Sequence, residues 1–228
     1  MSGRLDGRDA GMSIGEVLTE GWVLYKRLFG RSVVVAGLIF LVVSLADALA
    51  STTATYATGI VSIALALIGG LLVQGALVEV VRDIHEGRQP ARATHYYERT
   101  RGRLGTLLGT AILYGFGVAI GFVLLIVPGL IAVARWSLIV PLVMIEGLGW
   151  RAAFRRSNEL VKGRTGRVLG LLVITNVLTA VATLVLRGVF SALPLFWSGW
   201  IGGTVAGALV VPFEAYVLTV LYYRLRAA

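Results

Sequence analysis

Six apolar runs constrain this chain more than any other feature. They lie near residues 32–50, 58–81, 105–127, 130–147, 168–190 and 200–222. A hydrocarbon core takes roughly 20 apolar residues per helical crossing. Backbone groups there must bond to one another, which leaves helices or closed barrels. The runs do not alternate every second residue as barrel strands do. The expected fold is therefore all-α: a polytopic membrane protein of about six transmembrane helices. Composition agrees, with 57% hydrophobic and 14% charged residues among 228, where soluble domains carry about 25% charged.

Charge sets the expected orientation. Net charge is +9, and of the 21 lysines and arginines only Arg135 and Arg187 fall inside the apolar runs. The others occupy the N-terminal 31 residues, the 82–104 and 148–167 loops, and the tail at Arg224 and Arg226. The short connections on the opposite side hold none. By the positive-inside rule both termini and both long loops are expected in the cytoplasm of a bacterial inner membrane. The basic balance then encodes topology and contact with anionic lipid, not nucleic-acid binding. Ala48-Leu49-Ala50 resembles a signal-cleavage site, but about 30 patterned residues precede that apolar run, which argues against a leader.

Residues 1–12 are polar and glycine-rich, and are expected to be a disordered cytoplasmic tail ahead of one membrane domain, 13–228. Ser13 and Glu16 have capping-box spacing. Ile14, Val17, Leu18, Tyr25 and Leu28 follow helical periodicity, so 13–29 reads as an interfacial amphipathic helix ended at Gly30. "GWRAAFRRSNELVKG" reads likewise. Trp150, Phe154, Ser157 and Val161 share one face, and Gly163 ends it. Arg151, Arg155, Arg156, Lys162 and Arg164 are its candidate headgroup contacts.

The return helices resemble one another. Gln74, Pro141 and Pro212 each follow an apolar pair, and Glu79 and Glu146 each come five residues later, while Glu214 comes two later. A basic, glycine-containing turn precedes each outward run. The pattern fits a threefold hairpin repeat, and also fits unrelated hairpins obeying one charge rule. Pro141 and Pro212 are expected to kink their helices.

Charges inside a bilayer cost roughly 2.5–3.5 kcal/mol on insertion scales, so they pair or face water. Asp47, Arg135 and Arg187 are placed near the external face, with Asp47 paired to one or both arginines. Glu79 and Glu146 are expected to meet loop arginines near the cytoplasmic ends. Glu214 lies deeper and is the acid with the best claim to function. Thr175, Asn176, Thr179 and Thr183 form a polar stripe suited to helix packing.

The chain has no cysteine, so disulfides and thiolate chemistry are excluded. His85 and His95 lack a third ligand nearby, and zinc needs three or four. No nucleophile elbow, phosphate loop or paired-histidine zinc motif occurs. No cofactor or metal is expected.

"VPGLIAVARWSLIVPLVMIEGLGWRAAFRRSNELVKGRTGRVLGLL" resembles the glycerophosphoryl diester phosphodiesterase membrane-domain family. The marks are Pro128-Gly129, Arg135-Trp136, Pro141, Glu146-Gly147, and the run with Arg156, Ser157, Leu160, Lys162 and Gly163. The likeness extends to "SIGEVLTEGWVLYKRLFG". The family's catalytic domain brings paired histidines and metal-binding carboxylates, which have no counterpart in this chain. The resemblance thus implies a stand-alone membrane module, not the enzyme activity. The expected function is a non-enzymatic scaffold, partner-binding or lipid-interacting protein, with membrane lipids, a protein partner or a second copy as partners. A small-solute or ion transporter or channel is the alternative, and a membrane enzyme of lipid metabolism the second alternative.

Overall fold

The computed structural model describes residues 13–53, 55–88 and 92–227. The expected tail, 1–12, lies outside the described residues. The fold is all-α, with no strand among the described residues. In order come α1 (Ile14–Thr53), α2 (Tyr56–His85), α3 (Ala93–Arg101), α4 (Leu104–Leu124), α5 (Ile126–Arg135), α6 (Ile139–Pro141) running into a π-helical turn (Leu142–Glu146), α7 (Trp150–Val161), α8 (Thr165–Val189) and α9 (Leu195–Ala227). Among the described residues six helical segments are long and apolar enough to cross a membrane: α1, α2, α4, the composite Ile126–Glu146, α8 and α9. They form three antiparallel hairpins. The short turns lie at one end, near Thr55, Leu125 and Phe190, and the basic loops and α3 and α7 lie at the other, hereafter the basic end.

α9 is the most buried span, packed against α1, α8 and α2, and α1 runs along α9 and α2. α1 corrects one expectation, because Gly30 does not end a separate surface helix; α1 is continuous through it. The reason is tertiary. Leu28, Ser32, Val35 and Ala36 are all buried, so stopping at Gly30 would strip a packed face. α1 does bow. It touches α9 where Gly21 meets Val217 and again where Gly37 meets Ala208. Between those points α1 covers residues 21–37 and α9 covers 208–217, about 24 Å against about 14 Å at 1.5 Å per residue. Two helices can meet at both points only if α1 arches away between them. Tyr216 reaches across the arch, its hydroxyl in close contact with that of Ser32.

The two halves of the bundle differ in packing. At the basic end, one cluster joins Leu107, Leu138, Leu142, Met144, Val168 and Tyr222. A second joins Val35, Val73, Leu77, Tyr96 and Tyr216. Toward the short turns the helices leave apolar side chains bare, among them Val34, Leu38 and Leu49 on α1, Ile60 and Ile63 on α2, Phe116 and Val123 on α4, and Leu184 and Val189 on α8. Glycines let helices close here. A Cβ on Gly207 would lie 2.5 Å from the Phe40 ring, and one on Gly117 would lie 2.5 Å from Trp136.

The fourth span also departs from expectation. It is not one helix near 130–147. It breaks at Trp136–Leu138, restarts at Ile139 and widens to π geometry over Leu142–Glu146. Pro141 does not sit at the break. It falls in the first turn of the restarted helix, where a missing N–H costs little. α9, by contrast, continues through Pro212 as one helix.

Candidate functional site

The break in the fourth span is built from groups distant in sequence. Ser157, fully buried on α7, donates its hydroxyl to the Arg135 carbonyl at 2.7 Å and accepts the Leu138 N–H at 3.3 Å. One side chain thus satisfies both lips of the break. Leu142 N–H to Leu138 carbonyl, 3.0 Å, starts the new helix. Arg103, between α3 and α4, donates to the Val143 carbonyl at 2.6 Å and to that of Met144. Gly147, at φ 69°, ends the π turn in the left-handed region. Glu146 accepts the Tyr222 hydroxyl at 2.8 Å and lies 3.9 Å from Arg156 of α7. α7 is therefore seated in the bundle by Ala153, Ser157 and Val161, not merely laid upon it.

The broken span walls a cavity of about 330 Å³ between α2, α4, α8 and α9. Leu71, Leu107, Val140, Leu172 and Leu218 are among its apolar lining. Gln74, Thr110, Tyr114, Ser137, Asn176 and Glu214 supply its polar atoms, with Trp136 beside them. Glu214 comes two residues after Pro212, within the apolar part of α9. No lysine or arginine forms an ion pair with it among the described residues, and none lines the cavity. Three neighbouring side chains spend a donor on their own helices. Thr110 donates to the carbonyls of Thr106 and Leu107, Ser137 to that of Ala134, and Asn176 to that of Leu172.

The other acids and arginines fall elsewhere. Asp47 accepts the Ser62 hydroxyl at 3.1 Å. It shares an outer cavity of about 290 Å³ with Arg187 and Thr183, yet no ion pair joins Asp47 to an arginine among the described residues. The expected pairing is thereby corrected: a serine one helix away meets the aspartate first. Arg135 is not near Asp47 either. It ends α5 on the α7 side, and its buried Nε has no hydrogen-bond partner. Glu79, 2% exposed, meets Arg99 at 3.1 Å and Arg82 at 3.4 Å. Asp83 meets Arg88 and Arg99, each at 3.5 Å. Beside this network Tyr97 donates to the Val35 carbonyl, and burial pushes its phenol well above the usual tyrosine range, so it remains a donor at neutral pH.

On α7, Arg151 lies over the Trp150 ring at 4.6 Å. The Arg155 side chain is 80% exposed, 3.9 Å from Glu159. Lys162 is exposed and Arg164 half-buried. On the polar stripe of α8, Thr175 is buried with an unpartnered hydroxyl, while Thr179 bonds back to the Thr175 carbonyl. His85 stacks on Tyr223 at 3.9 Å. No group of three metal-ligating residues occurs among the described residues.

Of the residues singled out from sequence, the fold gathers Glu214, Gln74 and Asn176 in one cavity, and Glu146 with Arg156 beneath it. Asp47 and Arg187 form a separate outer site. Tyr114, Thr110 and Ser137 escaped notice. The first two lie four apart on α4, one helical face, which was the only signal available. No family model, curated protein or solved structure matches the chain.

Proposed function

We propose that the chain is a non-enzymatic module of a bacterial inner membrane that holds anionic lipid at the cytoplasmic leaflet through α7. The observation carrying this reading is the two-sided attachment of α7. Its buried face is fixed by Ser157, while Arg151, Arg155 and Lys162 stay exposed on the opposite side. A basic side chain near an anionic leaflet contributes about 1 kcal/mol, and a seated helix loses little further entropy in presenting three of them. The charge asymmetry of the loops supports cytoplasmic termini. The residues from Pro128 to Gly163 support kinship with the glycerophosphoryl diester phosphodiesterase membrane domains. A second copy or another protein docked on the module is compatible with this role.

The triple substitution Arg151→Glu, Arg155→Glu and Lys162→Glu tests it. Native mass spectrometry should show less co-purified anionic lipid than wild type, with unchanged topology. Unchanged lipid retention would reduce these residues to topological anchors.

One observation favours transport of a small solute as a second reading: the cavity at Glu214, lined by five helical segments. Uptake by proteoliposomes, lost on blocking that cavity, would support it over a purely lipid-binding role.

A further inference from the structure

We propose that the cavity below the broken span is a binding site for a small protonated amine, with Glu214 as its counter-ion. The inference stands on a carboxylate that lines a cavity without a basic partner among the described residues, and goes beyond lipid contact at α7. A hydroxyl has one proton to donate. Those of Thr110 and Ser137 are spent on their own helices, at 2.8–2.9 Å. The cavity therefore meets their remaining lone pairs. Asn176 uses its Nδ2 on Leu172 and leaves its carbonyl oxygen unengaged. Gln74, Tyr114 and Trp136 bring donors of their own, so charge is what selects the ligand: the Glu214 carboxylate is the charged group of the wall it shares with these acceptors.

An anion is repelled by that wall. A neutral alcohol brings one donor and no charge. A protonated primary amine brings three donors and the positive charge that no protein side chain supplies there. Its apolar remainder meets the leucine walls and the rings of Tyr114 and Trp136, which stand edge to face with centroids 6.5 Å apart. Aromatic faces also attract cations. The volume, about 330 Å³, lies at the small end of ligand pockets, so the amine is small.

Other regions carry less. In the charged pocket of Arg82, Arg88, Arg99 and Arg103 each arginine is already engaged, Arg82 and Arg99 by Glu79, Arg88 by Asp83 and Arg103 by the π turn. The outer cavity contains both Asp47 and Arg187. The groove of about 540 Å³ between α1, α8 and α9 is apolar, and nothing on it selects an occupant.

The test uses the full chain in lipid nanodiscs, titrated calorimetrically at pH 7 with phenethylammonium chloride, with heats from empty nanodiscs subtracted. Comparison probes are 3-phenylpropanol, 3-phenylpropionate and phenethyltrimethylammonium, which remove the charge, reverse it, or keep it without N–H donors. Phenethylammonium should bind at least tenfold more tightly than each of the three. Glu214→Gln should weaken it tenfold or more. Thr110→Val, on a different helix, should weaken it about threefold and serves as the deciding variant if the Glu214 substitution fails to fold. Equal affinity for 3-phenylpropanol would overturn the proposal. So would wild-type affinity in a folded Glu214→Gln or, where that variant does not fold, in Thr110→Val. Loss of lipid from the α7 variant with amine binding intact would separate this site from the proposed lipid surface.

Discussion

The fourth and sixth spans each carry a proline deep within an apolar run, preceded by two aliphatic residues and followed by a glutamate. Their backbones behave differently. The fourth comes apart over Trp136–Leu138, before its proline, and widens after it. The sixth continues from Leu195 to Ala227 as one helix. Their surroundings explain this. The fourth span has external partners for four freed groups: Ser157 for Arg135 and Leu138, and Arg103 for Val143 and Met144. α9 is packed against α1, α2 and α8. Near Pro212 it receives one outside donor, the Tyr25 hydroxyl on the Leu209 carbonyl at 3.0 Å. Proline removes a donor, but in an apolar setting the chain can open only where other groups take over the loose ends.

The largest test of this contrast is Arg103. Its guanidinium donates to two carbonyls of the π turn. Arg103→Met should lower unfolding free energy by about 3 kcal/mol, the range for charged hydrogen bonds plus stranded carbonyls. Arg103→Lys should lose less, since one charged donor remains. Denaturant unfolding in detergent would measure both. A loss below about 1 kcal/mol would mean that the π turn holds itself.

That dependence on distant groups also explains what the sequence disclosed. The six spans are legible because apolar runs of bilayer length leave few alternatives. α7 is legible as a loop helix with a polar face, whereas α3 lies in a basic loop that carries no such pattern. The break is not legible. "ARWSLIVP" contains no glycine, and its weak point is fixed by a serine about twenty residues onward. Gly30 misled in the opposite sense, because local propensity favours a stop where packed neighbours on both sides hold the helix together. Glu214 stands out in any reading as an acid in an apolar run. Its cavity does not, since its walls come from segments over 140 residues apart in the chain.

Ser157 should rank next. It is buried, and it serves a donor and an acceptor at once. Ser157→Ala strands both, for an expected loss of about 2 kcal/mol. Beyond stability, it frees α7 from the break. Hydrogen exchange at Trp136–Leu138 should therefore rise in Ser157→Ala while α9 around Pro212 stays protected. Equal exchange at both would dissolve the contrast, because the two prolines would then mark equally loose backbone.

The smallest effects belong to the prolines themselves, and they carry opposite expectations. Pro212 is in a helix interior, where it deprives the Ala208 carbonyl of a donor. Such a proline costs about 3 kcal/mol in an unadapted helix. Part of that cost is offset here by packing. Another 0.4–1 kcal/mol is regained because proline restricts the unfolded chain. Pro212→Ala should therefore stabilise by about 1 kcal/mol. Pro141 occupies the first turn of a restarted helix, ahead of the Leu142 to Leu138 bond, so alanine there recovers no hydrogen bond. It loses only proline's restriction of the unfolded state, and stability should fall by about 0.5 kcal/mol or less. Parallel melts of the two variants would give the sign of each. If Pro141→Ala were the more stabilising of the two, the proline would be what strains the fourth span, and Ser157 and Arg103 would be repairing a break that it causes.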